Sequence, residues 1–469
     1  MGRRTIVIML SCLLLFAACQ PTPEQDAVVN KANGKLEVIV ASSPVPLQDE
    51  QHAETPVATE SAVENEELFG AGGRLQDIKG QQWQEDFFYN EMSIHIDTYF
   101  EAVGNTCPVY EVSAVLFDSA FANEFLERVA GETTQMRDDT MTLEEVKAAL
   151  EGAMRGQMIE IDGRITYEPY EGQEEEIAYW GNLYNQMQKS GEEFAWEEVS
   201  EIQKLPHQKF YQTAEGSSCY IYIAERYLSF TMGEKSLLVA QPESMVLEGD
   251  AILGEPEGTS IEVNGLSAEE AITIGAKAME KAGIHNLKLA SCEKARMVDV
   301  DFGRVAYTGY MLFYSVGWDN YLPADYMNIH TDAANDKEQE EYATPWQFEY
   351  AYVFVDEKGE AQEIYWQYPI QEEALLNENV SILTLEETKT RILNQLRFLY
   401  ATHGEGQVEV NRIFLSGLPI KRPGSANGML VPTWIVEYTY NDDLAYHNQP
   451  FLLAVNAIDG SIIDLTKGY

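Results

Sequence analysis

Three times in 469 residues the chain spells a helix start in nearly the same letters: TLEEV from Thr142, SAEEA from Ser267 and TLEET from Thr384. In each, a Ser or Thr stands three residues before a glutamate (Glu145, Glu270, Glu387). Hydroxyl and carboxylate can then each accept a backbone N–H that the first helical turn leaves unpaired. The glutamates also suit the positive end of the helix dipole. Apolar residues recur at helical spacing behind them, as Ile272, Ala276 and Met279, or Ile392, Leu396 and Leu399. This spacing predicts helices over 268–282 and 385–401. A capping box alone is common; the strands behind it carry more weight.

Behind the second and third helices, similar runs return in the same order. NLKLASCEKARMV, VAYTGYMLFYSVGW and TPWQFEYAYVFVDEKGEAQEIYWQYP follow the second; GQVEVNRIFLSGLPI, VPTWIVEYTYND and PFLLAVNAIDGSIIDL follow the third. Pro345-Trp346 leading to Tyr350 matches Pro432 and Trp434 leading to Tyr438. VFVDEKGEAQEI matches LLAVNAIDGSII, each an apolar strand, a turn at Gly359 or Gly460 and a returning strand. The expected fold is α+β, with tandem modules over 255–372 and 373–469, each a helix packed on an antiparallel sheet. Trp346 and Trp434 are expected to be equivalent core or interface anchors rather than cofactor ligands. Residues 74–254 have strands of their own (MSIHIDTYFEAV, PVYEVSAVLF, CYIYIAERYLSFTMG) and helices near 119–130, 142–155 and 172–190. They are expected to form an N-terminal α+β domain.

The chain opens as an export signal. Arg3 and Arg4 precede an apolar run from Thr5 to Ala18, too short for the roughly 20 residues that span a bilayer core. Small residues at 17 and 18 lead to Cys19 and then to polar sequence. The FAAC stretch resembles the Leu-small-small-Cys box of bacterial lipoprotein signals, with Phe16 in place of the usual Leu. Cleavage of 1–18 would leave Cys19 as a lipidated N-terminus (palmitate and diacylglycerol) at the outer face of the cell membrane. An ordinary secretory signal with a coincidental Cys is the alternative, and Cys12 within the run shows that such coincidence occurs. Residues 19–73 are rich in Pro, Thr, Glu, Gln, Ala and Ser and lack aromatics until Phe69. They are expected to be a disordered linker, with the short KLEVIVA run as a strand, docked or transient.

The body after the linker is too long for one usual core. Removing the signal takes away Arg3 and Arg4, leaving 29 basic against 77 acidic residues, a net −48. Such a field repels phosphate backbones and excludes nucleic acid as a partner. Cys107, Cys219 and Cys292 are widely spaced and form no zinc pattern. A Cys107–Cys219 bridge and three small buried side chains are equally good readings.

The helix LSAEEAITIGAKAMEKAGI, the strands behind it, the VPTWIVEY strand and the closing AVNAIDGSIID hairpin together resemble PepSY-like modules. These occur in protease propeptides and in exported regulatory proteins of Gram-positive bacteria. With CQPTPEQDAVVNKANGKLE after the signal, the whole chain resembles an uncharacterised lipoprotein family of such bacteria. The likeness covers roughly 200 residues, rests on caps, turns and core positions, and brings no catalytic residue. It implies extracytoplasmic binding or regulation.

Catalytic patterns reduce to chance matches. Ser291 to Lys294 (SCEK) fits Ser-x-x-Lys, yet it falls in a strand and lacks the partner motifs. The seven histidines never stand at ligand spacing; His95 and Asp97 share a strand face as a surface pair. DVDFG at 299–303 lacks the distal Glu of a calcium loop, and the acidic run 332–341 reads as solvated, with calcium attraction as the alternative. No cofactor and no metal is expected. The expected function is a lipid-anchored extracytoplasmic binding or regulatory protein. Its partners would be the membrane through Cys19 and another exported protein, peptide or wall component. The alternative is a cell-envelope hydrolase using carboxylates in an unrecognised cleft.

Overall fold

The structure is a computed structural model. Of the first 71 residues it describes only Leu36, Val40 and Ala41. From residue 72 onward it describes all but 90–91, 139–142, 162–163, 170–172, 191–195, 234–237, 244–259, 300–303, 319, 326–347, 401–405, 423–424, 442–450, 464 and 466–469. Cys19, Thr142, Trp346 and the acidic run 332–341 lie outside the described residues.

The fold is α+β. Among the described residues, strand (47%) outweighs helix (25%). The strands are β1 (Gln82–Tyr89), β2 (Met92–Glu101), β3 (Val109–Ala114), β4 (Thr133–Asp138), β5 (Gln157–Ile161), β6 (Arg164–Glu168) and β7 (Glu197–Glu198). Then come β8 (His207–Thr213), β9 (Ser218–Ala224), β10 (Tyr227–Met232), β11 (Leu238–Pro242), β12 (Leu287–Asp299), β13 (Arg304–Val316), β14 (Tyr350–Asp356) and β15 (Ala361–Gln367). The last five are β16 (Ile370–Asn377), β17 (Gly406–Lys421), β18 (Gly428–Asn441), β19 (Phe451–Asn456) and β20 (Ile462–Ile463). Helices α1 (Ser119–Ala130), α2 (Leu143–Arg155), α3 (Gln173–Ser190), α4 (Ala268–Ala282) and α5 (Leu385–Leu399) stand where the sequence predicts them.

Two capping boxes are built as expected. Ser267 Oγ accepts from Glu270 N (3.3 Å) while Glu270 Oε2 accepts from Ser267 N (3.0 Å). Thr384 and Glu387 repeat this at 3.3 and 2.9 Å. Helix α4 then presses Ala271, Ala278, Met279 and Ala282 onto Leu312, Val353, Val355 and Ile364. The approach is close: a Cβ on Gly275 would fall 2.3 Å from Leu312 Cδ1. Helix α5 buries Ile392 and Leu396 in the core that holds Ile413, Trp434 and Val455. Trp434 is fully buried, and the Phe100 ring meets it edge-on at 5.2 Å.

A ten-stranded sheet runs β11-β12-β13-β14-β15-β10-β9-β8-β4-β7, and an eight-stranded sheet runs β1-β2-β17-β18-β19-β20, with β3 joining β16 to β18. Each capped helix is thus followed by four consecutive strands lying side by side, β12 to β15 and β17 to β20. Strands of 74–254, expected to make a domain of their own, divide between the two sheets, except β5 and β6, which pair with each other as a separate two-stranded sheet. β2 pairs in parallel with β17, and β10 pairs antiparallel with β15. The reason is physical: a four-stranded meander leaves an unpaired edge whose backbone groups need partners.

One further expectation changes, and one open choice is decided. In KLEVIVA, Leu36 and Val40 have helical rather than strand backbone, and both are buried in the core of the eight-stranded sheet. Cys107 belongs to that core and Cys219 to the core of the ten-stranded sheet; both are free thiols. Burial pushes each thiol up to about 12.

Candidate functional site

Strand alternation sorts side chains onto two faces of the ten-stranded sheet. Ile221, Ile223, Leu228, Phe230, Val353 and Ile364 pack beneath α1 and α4. The intervening residues point the other way, and tyrosine is the commonest among them. One row across the strands reads Tyr222, Ser229, Tyr365, Tyr352, Phe313, and the next reads Tyr227, Gln367, Tyr350, Ser315.

Tyr365 is the hub of this face. Its ring stacks on Tyr352 at 4.7 Å and on Tyr350 at 5.7 Å, and Tyr227 meets it edge-on at 5.0 Å. Tyr222 extends the patch through Tyr227 at 5.1 Å. All five tyrosines are half-buried, so each keeps part of its surface open to solvent.

Beneath the rings lies Glu363, opposite Thr231 on β10 and Phe354 on β14. Its Oε1 accepts a hydrogen bond from the Tyr352 hydroxyl (2.8 Å), while Oε2 is buried with no hydrogen-bond partner among the described residues. Burial pushes this carboxyl up to about 7, although the Tyr352 hydrogen bond favours its ionised form. Glu363 therefore exchanges its proton near neutrality inside an aromatic setting.

A second buried acid, Glu349, sits where the chain leaves β15 for the other sheet. It accepts from Trp366 Nε1 (2.9 Å) and Ile370 N (3.2 Å). Burial pushes it up to about 8, against the two hydrogen bonds and the nearby Arg226 charge. Tyr368, between those two donors, has φ +51°. The Arg226 guanidinium lies over the Tyr368 ring, 5.1 Å from its centroid. Glu349 thus clamps the crossing between the sheets and is itself out of reach of solvent.

The motifs singled out in the sequence lie elsewhere. His95 Nδ1 bonds Asp86 Oδ1 (2.6 Å) across the β1–β2 pair, which raises its pKa, while Asp97 accepts from Gln82 and Gln84. Ser291 lies in β12, and its hydroxyl donates to the Asp325 carboxylate. Among the described residues, no group of three or more His, Cys, Asp or Glu side chains could hold a metal ion. No described helix is long and apolar enough to cross a membrane. The tyrosine face escaped sequence reasoning, although EIYWQ at 363–367 and YAYVF at 350–354 do alternate. Its assembly depends on β10 docking between β9 and β15, a pairing that no local pattern announces.

Comparison with protein-family models finds no match, and comparison with curated proteins finds none. Among solved structures, the crystal structure of an uncharacterised protein from Eubacterium rectale is similar at a TM-score of 0.42 and 11% identity. The match covers 83% of this chain and 97% of that one.

Proposed function

We propose that this chain is a lipid-anchored extracytoplasmic binding protein, held at the outer face of the cell membrane through Cys19. In this reading the tyrosine face captures a positively charged segment of another exported protein. The observation that carries it is the hub at Tyr365, which gathers Tyr227, Tyr350 and Tyr352 on a sheet face opposite the helices. Half-exposed aromatic clusters are typical of the energetic centres of protein interfaces. Charge selects the partner: a chain of formal net charge −46 attracts cations, and tyrosine rings bind ammonium and guanidinium groups. Arg226 over Tyr368 is an intramolecular example of that contact, close to the same face.

The two PepSY-like modules, 255–372 and 373–469, are the scaffold in this reading. Shared strand order after each capped helix supports them. So do the hairpin turns at Gly359 and Gly460, both with positive φ.

Titration of the full chain with a lysine-rich peptide tests the binding reading. Tyr365→Ala should weaken binding roughly tenfold, as expected of an interface hot spot; unchanged affinity would rule out this face. The hydrolase alternative has one observation in its favour, because a carboxyl near 7 suits a general acid. Hydrolysis of wall material that disappears in Glu363→Gln would favour it over binding.

A further inference from the structure

The segment expected to be a free linker is pinned to the body at two places, both on one short run before α5. Asn377 Nδ2 donates to the Val40 carbonyl (2.9 Å) in a buried contact. The same Asn377 accepts from Asn379 N through its Oδ1 (2.9 Å), and Asn379 Oδ1 accepts from Cys107 N (3.0 Å). Val40 is thereby joined through two carboxamides to the segment that leads into β3. Five residues beyond Asn377, Ile382 exchanges two backbone hydrogen bonds with Gly73 (2.7 and 3.1 Å). Leu36 and Val40, four apart on helical backbone, sit at 7% and 4% exposure in the core with Val380, Ile382 and Ile392.

From this geometry we infer that the body carries a peptide-binding site, formed by Asn377 and the apolar core beside it. Its ligand class is a segment that presents apolar residues four apart on helical backbone, and the chain's own Leu36 and Val40 are its resident ligand groups. The site recognises such a segment in two ways. The core takes the paired side chains, and the Asn377 amide caps a main-chain carbonyl that would otherwise be buried unpaired.

Limited proteolysis of the full chain tests the site. Cleavage between residues 36 and 41 should be slow in the wild type. The double variant L36D/V40D should speed it roughly tenfold or more, and Asn377→Ala should speed it by a smaller factor. Thermal melts of the variants establish that the body stays folded. A synthetic peptide spanning residues 33–44 should bind L36D/V40D and not the wild type, whose site is filled. Equal cleavage of wild type and variants, with folded bodies, would overturn the proposal.

Discussion

Asp356 and Asn456 occupy the same place in two hairpins. Each is the last residue of its strand, β14 or β19, and each turns a side-chain oxygen back onto the loop. Asp356 Oδ1 accepts from Lys358 N (3.0 Å) and Glu360 N (2.8 Å), and Asn456 Oδ1 accepts from Ile458 N (3.0 Å). Both backbone carbonyls accept from the turn glycine, Gly359 N at 2.9 Å and Gly460 N at 2.8 Å. The loops differ by one residue, yet the chemistry of the turn is shared.

These turns should respond alike to substitution. Gly359 has φ +82° and Gly460 φ +72°, where an added Cβ is strained. Gly460→Ala also brings a Cβ to 2.9 Å from Leu383 Cδ1, against 3.2 Å from Ile274 Cδ1 at Gly359. Each Ala variant should cost about 1–2 kcal/mol, with Gly460 the larger. Chemical denaturation measures both, and a loss at one turn with none at the other would break the equivalence.

Stability should fall as pH rises through neutrality. Burial raises Glu363 to about 7 and Glu349 to about 8, above the roughly 4.3 of an unfolded Glu. The folded state therefore binds more protons than the unfolded state between those values, and unfolding becomes easier as they dissociate. Their stabilising contribution is complete below about pH 4 and lost progressively by about pH 8. Glu349→Gln, which stays neutral and can still accept from Trp366, should flatten this slope. A wild-type midpoint that rises from pH 5 to pH 8 would contradict both assignments.

Trp434 should be an anchor of the core. Its ring is fully buried against Phe100, and its indole N–H has no acceptor among the described residues. Its contribution is therefore packing. Trp434→Ala should cost roughly 3–5 kcal/mol, read as a large drop in thermal midpoint. A midpoint close to wild type would remove Trp434 from the core account.

Much of the scaffold was legible because its signals are local. Ser267–Glu270 and Thr384–Glu387 announce helix starts within four residues, and Gly359 and Gly460 mark turns between apolar runs. Partnerships across the chain were not legible. Nothing near Tyr227 indicates that β10 will lie beside β15, so the convergence of Tyr227, Tyr350, Tyr352 and Tyr365 over Glu363 stayed hidden. Leu36 and Val40 depart from the strand expected of KLEVIVA for a related reason. The β-branched residues of that run favour a strand, whereas burial of Leu36 and Val40 and the Asn377 contact favour the helical backbone observed at those two residues.

Membrane attachment has its own test. Cys19→Ala should block lipoprotein processing and leave an uncut or released form. Detergent-phase partition identical to wild type would mean that Cys19 carries no lipid.

The binding account is tested most directly by photo-crosslinking in cells. A photoreactive residue placed at Tyr222 lies on the tyrosine face, and one at Thr273 lies exposed on α4, across the sheet. The account predicts one dominant crosslinked product from position 222, to an exported protein with a basic segment. That product should be absent from position 273 and lost when Tyr365→Ala is added. The same product from both positions, or one from 222 that survives Tyr365→Ala, would contradict it.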